Sequence, residues 1–313
     1  MRLIFWGTSS FAVPALRALL GEGFDVAGVV TRPDRAVGRS RSMLVPSPVK
    51  SVAMEEELPL LQPESPQEEP FLEQLRALEP ELSIVVSYGH ILRESLIALP
   101  SRGTINVHAS LLPALRGAAP IQGAVREGLA ETGVTVMRMV RELDAGPILL
   151  QARTPVARDE TAGELEARLS ELGAMALVEA LTLMSLDRLP ETPQDDSKAT
   201  FAPKILREMA RVNWNDSADA IGRHVRAYDP KPGAFTTHRG GDIKLFGALP
   251  AGAPSDSAHA PGTVVAIDGR GMVVTCGTGA VTIVCAQPAG RIRVNPDEWM
   301  RGRGIEVGER LGG

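Results

Sequence analysis

The feature that most constrains this chain is the alternation, through its first half, of short apolar runs with helical segments. Leu3–Trp6, Val26–Val30, Leu82–Ser87, Ile105–Ala109 and Val134–Met139 read as strands, with Ile148–Leu150 as a sixth. Phe11–Leu20 has a helical pattern, with Ser9 or Ser10 as N-cap and Pro14 tolerated in the first turn. Leu165–Leu186 is a long, largely apolar helix. Buried strands joined by helices imply a parallel α/β sheet with right-handed crossovers.

The chain has 313 residues, long for one core and comfortable for two domains. Its character changes around 187–206, where DRLPETPQDDSKATFAPK is rich in Pro, Asp, Ser and Thr and reads as a linker of ~15–20 residues. A short helix follows near Ser217–Ala227. Then come short β runs at Ala234–Thr237, Ile243–Phe246, Thr263–Ile267, Met272–Thr275 and Val281–Ala286. Five short strands in ~80 residues suggest a small barrel, and oligonucleotide-binding barrels are one such class. The expected division is a catalytic domain at 1–189, a linker at 190–208 and a β-barrel domain at 209–313.

Several function classes are excluded. No apolar run approaches the ~18–20 residues that span a bilayer. The N-terminal run Leu3–Trp6 is too short for a signal-peptide core, so the cytosol is the expected compartment, with no membrane partner. Cys276 and Cys285 sit apart in strand-like runs, and without a Cys/His cluster no metal is expected. The turn Gly7-Thr8-Ser9-Ser10-Phe11-Ala12 lacks the dinucleotide-binding glycines, and neither a Walker A sequence nor a GxSxG elbow occurs. The formal net charge of −5 argues against a chain that coats nucleic acid. Residues 1–206 carry 20 Lys and Arg against 27 Asp and Glu, whereas 207–313 carry 13 against 11, so any nucleic-acid contact is local.

Three places can carry chemistry. In GTINVHAS (103–110), a strand directs Asn106 and His108 to one face and Ile105, Val107 and Ala109 to the other. On spacing alone, a satisfied core pair remains open. The strand breaks at Ser110-Leu111-Leu112-Pro113, however, and in an open parallel sheet ligands sit at such carboxyl ends. Asp144, in Leu143-Asp144-Ala145-Gly146-Pro147, is either a turn aspartate or a carboxylate that fixes the tautomer of His108. Thr31–Lys50 holds Arg32, Arg35, Arg39, Arg41 and Lys50 against the single acid Asp34; Pro33, Gly38, Pro46 and Pro48 make it read as a loop. It is a solvated loop or a phosphate-backbone contact.

At these residues the chain resembles the methionyl-tRNA formyltransferase family, from Met1 to about Arg293. The strongest motifs are INVHASLLP (105–113), RGAAPIQ (116–122) and LDAGPI (143–148), which other folate-dependent formyltransferases and hydrolases share. The acceptor is signalled instead by PDR with GR (33–35, 38–39), PSPVK (46–50), TFAPKI (200–205), RAYDP (226–230) and QPAGR (287–291). The resemblance implies a Rossmann-like, formyltransferase-type sheet followed by an oligonucleotide-binding-like β-barrel. It implies 10-formyltetrahydrofolate as co-substrate and initiator methionyl-tRNA as acceptor; the chain itself is expected to be a monomer. Asn106, His108 and Asp144 are the implied catalytic residues. Ser110, Leu111, Leu112, Pro113, Tyr88 and Gly89 would line the folate site. Arg35, Arg39, Arg41, Lys50, Lys204 and Arg291 would contact the tRNA. Ser9 and Trp6 depart from the family pattern at the first turn, and Pro203 and Asp229 depart later.

Overall fold

A computed structural model describes residues 1–37, 43–251 and 259–312. In chain order the first half contains β1 (Arg2–Gly7), α1 (Val13–Gly21), β2 (Asp25–Val30), β3 (Arg35–Val37), β4 (Met43–Val45), α2 (Pro48–Glu55), β5 (Leu60–Leu61), α3 (Glu69–Ala77), β6 (Leu82–Val86), α4 (Glu94–Ile97) and β7 (Thr104–His108). Then follow α5 (Pro120–Glu127), β8 (Glu131–Arg138), β9 (Ile148–Pro155) and α6 (Ala162–Ser185). The remainder holds α7 (Ala218–Ala227), β10 (Ala234–His238), β11 (Gly241–Pro250), β12 (Val264–Asp268), β13 (Gly271–Thr275), β14 (Ala280–Pro288) and α8 (Pro296–Arg301). Two compact units emerge: 1–117 with 132–154 and 166–201, and 118–131 with 155–165 and 202–313.

The first unit is built on a seven-stranded sheet of order β5-β2-β1-β6-β7-β8-β9. The pairs β2·β5, β1·β2, β1·β6 and β6·β7 are parallel, and β7·β8 is antiparallel. Direction is what the apolar pattern of Val134–Met139 could not convey. Register places Trp6, Val85 and Asn106 on one face, and Phe5, Ile84 and Ile105 on the other. The first face is covered by Phe71 and Leu75 of α3 and Leu96 and Ile97 of α4. On the second, a Cβ at Gly173 of α6 would stand 3.1 Å from Cγ1 of Val107. The chain moves outward through β1, β2 and β5, then returns to the opposite side of β1 with β6. That reversal opens a crevice at the carboxyl ends of β1 and β6, where α/β folds bind ligands.

Three local expectations change. Helix α1 starts at Val13 after a tight turn at Ser10–Ala12, because the Ser9 hydroxyl binds the Ser87 hydroxyl at 2.7 Å rather than capping a helix. The stretch 31–50 is not all loop. β3 pairs antiparallel with β4, and α2 begins at Pro48, where Ser47 caps it by accepting the Lys50 N–H at 3.0 Å. Proline at the first helical position lacks only an N–H that would be unpaired anyway, so Pro48 starts this helix rather than breaking it. The stretch 187–206 is tied down by backbone bonds: Thr192 pairs with Ile148, and Thr200 O accepts the Arg116 N–H.

The second unit contains a five-stranded antiparallel sheet, β10-β11-β14-β13-β12. Its core gathers Trp214, Val225, Tyr228, Leu245, Ile283 and Trp299. Ser217 caps α7, accepting the Ala220 N–H at 3.2 Å. Cys276 and Cys285 are free thiols, and burial pushes Cys276 up to about 11. No helix among the described residues is long and apolar enough to cross a membrane.

Candidate active site

Strand β7 delivers Asn106 and His108 to the carboxyl end of the sheet. His108 is buried, at 6% exposure, and Asn106 is half-buried. The Nε2 of His108 lies 3.0 Å from the carbonyl oxygen of Leu115, which can only accept, so Nε2 carries a proton. The other ring nitrogen, Nδ1, lies 3.8 Å from Oδ2 of Asp144. That carboxylate oxygen also accepts the backbone N–H of Gly117 at 2.8 Å. The Asn106 side chain has no hydrogen-bond partner among the described residues, which leaves its amide available to a ligand.

The loops that frame this pair are closely bonded. Thr135 Oγ1 donates to Ser110 O at 2.6 Å and accepts the Leu112 N–H at 3.1 Å. Gln151 Nε2 donates to Leu112 O and to Thr135 Oγ1, and Ser110 Oγ donates to Ala114 O at 2.6 Å. The Leu112–Pro113 peptide is cis. Ser110 and Leu112 are buried, whereas Leu111 and Pro113 are half-buried and open to a bound molecule. Asp144 itself has φ of 50°, a left-handed conformation uncommon for a residue with a side chain. Two residues on, Gly146 is required sterically: a Cβ there would fall 1.9 Å from the carbonyl oxygen of Arg138.

Tyr88 and Gly89 lie at the crevice beside β1. Thr8 Oγ1 donates to Tyr88 O at 2.8 Å, which fixes this segment against the first turn. The Tyr88 ring is 1% exposed and makes edge contacts with Trp6 at 5.3 Å, inside the core. Its hydroxyl has no partner among the described residues, and burial pushes it up to about 12 against the opposing pull of Arg32. A ligand at this segment therefore meets the backbone and Gly89 rather than the phenol. Gly89 has φ of 88°, and a Cβ on it would lie 3.6 Å from a guanidinium nitrogen of Arg32.

The basic residues divide into groups. Arg35, Lys204 and Arg291 are exposed. Arg39 and Arg41 lie outside the described residues. Lys50 is engaged inside the protein: its ammonium contacts both carboxylate oxygens of Asp34 at 2.9 and 2.8 Å. Those bonds, with one from Gln62, hold Asp34 below the ordinary carboxylate value. On the second unit, Arg207 and Arg211 stand over the Phe235 ring at 5.3 and 5.5 Å, and Arg293 over Phe246 at 3.4 Å. Sequence reasoning misses these stacked arginines, although paired Arg residues beside an aromatic strand are a readable signal.

The chain is a member of the formyl transferases, with Asn106 and His108 at the carboxyl end of β7 and Asp144 facing the His108 ring. A family model described as formyl transferase matches residues 1–181, and one described as formyl transferase, C-terminal domain, matches residues 204–304. A methionyl-tRNA formyltransferase of Moorella thermoacetica is 44% identical over 312 residues, covering 100% of this chain and 99% of the relative. One of Halalkalibacterium halodurans is 42% identical, covering 100% and 99%. The chain belongs to the methionyl-tRNA formyltransferase family. Among solved structures, HypX from Aquifex aeolicus in complex with tetrahydrofolic acid shares the fold, with a TM-score of 0.68 at 20% identity. That likeness covers 98% of this chain and 48% of HypX, so this chain spans about half of HypX.

Proposed function

We propose that this chain transfers the formyl group of 10-formyltetrahydrofolate to the α-amino group of methionyl-tRNA, making the formylated initiator of translation. One observation carries the reading: end-to-end identity of 41–44% with methionyl-tRNA formyltransferases. The His108–Asp144 pair at the carboxyl end of β7 supplies chemistry that suits it.

The chemistry follows from the donors and acceptors available. A free α-amine titrates near pH ~8, so part of it is neutral and nucleophilic at physiological pH. Its nitrogen attacks the formyl carbon, a new C–N bond forms, and the carbonyl electron pair moves to oxygen. Asn106 donates its amide N–H to that oxyanion. In the neutral ring of His108, Nε2–H is committed to Leu115, so Nδ1 holds the free lone pair. Nδ1 accepts the proton leaving the amine, and Asp144 stabilises the imidazolium that results. Collapse restores the carbonyl and breaks the bond to N10 of the folate, which takes the proton back from His108.

Ser110–Pro113 and the Tyr88–Gly89 backbone, at the carboxyl ends of β7 and β6, would hold the folate. Arg35, Arg39, Arg41, Lys204 and Arg291 would meet tRNA phosphates, with Lys50 supporting the loop through Asp34. In this reading residues 1–189 carry the chemistry, 190–208 connect, and 209–313 contact tRNA in a cytosolic monomer. The test offers formyl-labelled 10-formyltetrahydrofolate with methionyl-tRNA, an amino-sugar nucleotide or water. Label in acid-precipitable RNA supports the proposal; label only in the sugar or in free formate overturns it.

A further inference from the structure

The stretch from Thr192 to Thr200, polar enough to read as a linker, is bonded to both loops that support the His108–Asp144 pair. Gln194 stands between them. Its Nε2 donates to the carbonyl oxygens of Asp144 at 2.8 Å and Gly146 at 2.7 Å. Its Oε1 accepts from Nε and Nη2 of Arg116 at 3.1 and 2.8 Å. Arg116, only 7% exposed in its side chain, also donates to Asp196 at 2.7 Å. Thr200 holds the other arm: its Oγ1 accepts the Leu115 N–H at 2.9 Å, and its carbonyl accepts the Arg116 N–H at 2.8 Å. Leu115 is the residue whose carbonyl accepts the hydrogen bond from Nε2 of His108, and the Gly117 N–H donates to Asp144. Leu115 and Asp144 both have left-handed backbones, at φ of 58° and 50°. Such residues persist only where their surroundings over-determine them.

We propose that Gln194 and Thr200 are positioning residues that clamp the 113–117 and 144–146 loops, and so set the separation and tautomer of the His108–Asp144 pair. The proposal rests on the reading of that pair as catalytic. The amide of Gln194 suits the task because one side chain offers donors to two carbonyls and an acceptor to a guanidinium. No acid or base of similar shape does both. Displacing reacting groups by about 1 Å costs up to about 100-fold in rate. Loosening the clamp is therefore read in turnover rather than in substrate binding.

The experiment compares Gln194→Glu, Thr200→Val and Asp144→Ala in the full-length protein, singly and with Gln194→Glu combined with Asp144→Ala. Gln194→Glu keeps the acceptor for Arg116 but loses the donors to Asp144 and Gly146. Thr200→Val keeps shape and frees the Leu115 N–H. The expected result is a kcat lowered roughly 10–100-fold by Gln194→Glu and several-fold by Thr200→Val. KM for 10-formyltetrahydrofolate and for methionyl-tRNA stays within about twofold. The loss due to Gln194→Glu disappears in the Asp144→Ala background, because both act on one unit. Nitrogen-15 spectra of the His108 ring show a mixture of tautomers in place of the single Nε2–H form. If Gln194→Glu does not fold, Thr200→Val carries the same comparison. Wild-type kcat in the clamp variants, with a slow Asp144→Ala, overturns the clamp and leaves the catalytic pair standing. An equal loss with and without Asp144 also overturns it. Wild-type turnover by Asp144→Ala overturns the catalytic reading, and the clamp with it.

Discussion

Oδ2 of Asp144 lies 3.8 Å from Nδ1 of His108 and at the same time accepts the Gly117 N–H at 2.8 Å. The carboxylate is thus held by backbone while it faces the ring. Asp144→Asn preserves the size and an acceptor for Gly117 but removes the charge that, in the proposed mechanism, faces the imidazolium. We expect kcat to fall by about 10²–10⁴, the range of a general acid–base contribution. Folate binding and thermal stability should change little. A variant within threefold of wild-type turnover contradicts the proton route.

Asn106 contributes differently, because its side-chain amide is not committed to another group among the described residues. A donor aimed at a developing oxyanion matters in the transition state more than in the bound complex. Asn106→Ala should lower kcat by ~10²–10³ while leaving the dissociation constant of the reduced folate within about threefold. Rapid single-turnover formyl transfer alongside equilibrium folate binding separates the two quantities. A variant that loses binding and turnover in equal proportion would place Asn106 in substrate binding.

Tyr88 gives a prediction of the opposite kind. Its ring packs against Trp6 in the core, and its buried hydroxyl has no partner among the described residues. An unsatisfied buried hydroxyl costs free energy that an apolar replacement recovers. Tyr88→Phe should therefore raise stability by about 1 kcal/mol, and KM for 10-formyltetrahydrofolate should be unchanged. Urea unfolding and steady-state kinetics check the two halves. A several-fold rise in KM would mean that the phenol reaches the folate after all.

What is legible in the sequence follows a physical division. The buried strands are legible because parallel sheets covered on both faces demand unbroken apolar runs, as in Leu3–Trp6 and Leu82–Val86. The proposed catalytic residues are legible by type and by strand alternation, since Asn106 and His108 share a face. Their separation from Asp144 is not, because it depends on loops joined across the fold. The stretch around Gln194 misleads for the same reason. Its polar composition is that of a linker, yet its partners Arg116, Asp144 and Gly146 lie 78, 50 and 48 residues away. Pro48 misleads as a breaker because a proline's effect depends on whether it falls inside a helix or at its first position.

The cations at 32–50 should not be equivalent towards tRNA. Lys50 is paired with Asp34, whereas Arg35 is exposed. Arg39, outside the described residues, is the proposed phosphate ligand of this stretch. Arg39→Ala and Arg35→Ala should each raise KM for methionyl-tRNA and leave KM for the folate unchanged. Each should also flatten the dependence of log kcat/KM on log salt, by about one unit of slope for every phosphate that is no longer neutralised. Lys50→Met should leave that slope nearly unchanged. Equal slopes for wild type and Arg39→Ala contradict the loop's role.

The same ion pair has a signature in stability against pH. Hydrogen bonds from Lys50, and then from Gln62, hold Asp34 below its ordinary value of 3.8 in the folded protein. A carboxylate depressed by folding stabilises the folded state fully above its unfolded value, and that contribution is lost as pH falls through the folded value. Wild type should therefore exceed Asp34→Asn in stability by a constant margin from neutral pH down to about pH 5. Below the ordinary value of 3.8 the margin should shrink as protonated Asp34 comes to resemble asparagine. Urea unfolding of both proteins at pH 7 and pH 3 measures the two margins. A margin that widens on acidification would assign the wrong sign to the pair, and with it the role of Lys50 as an internal tether.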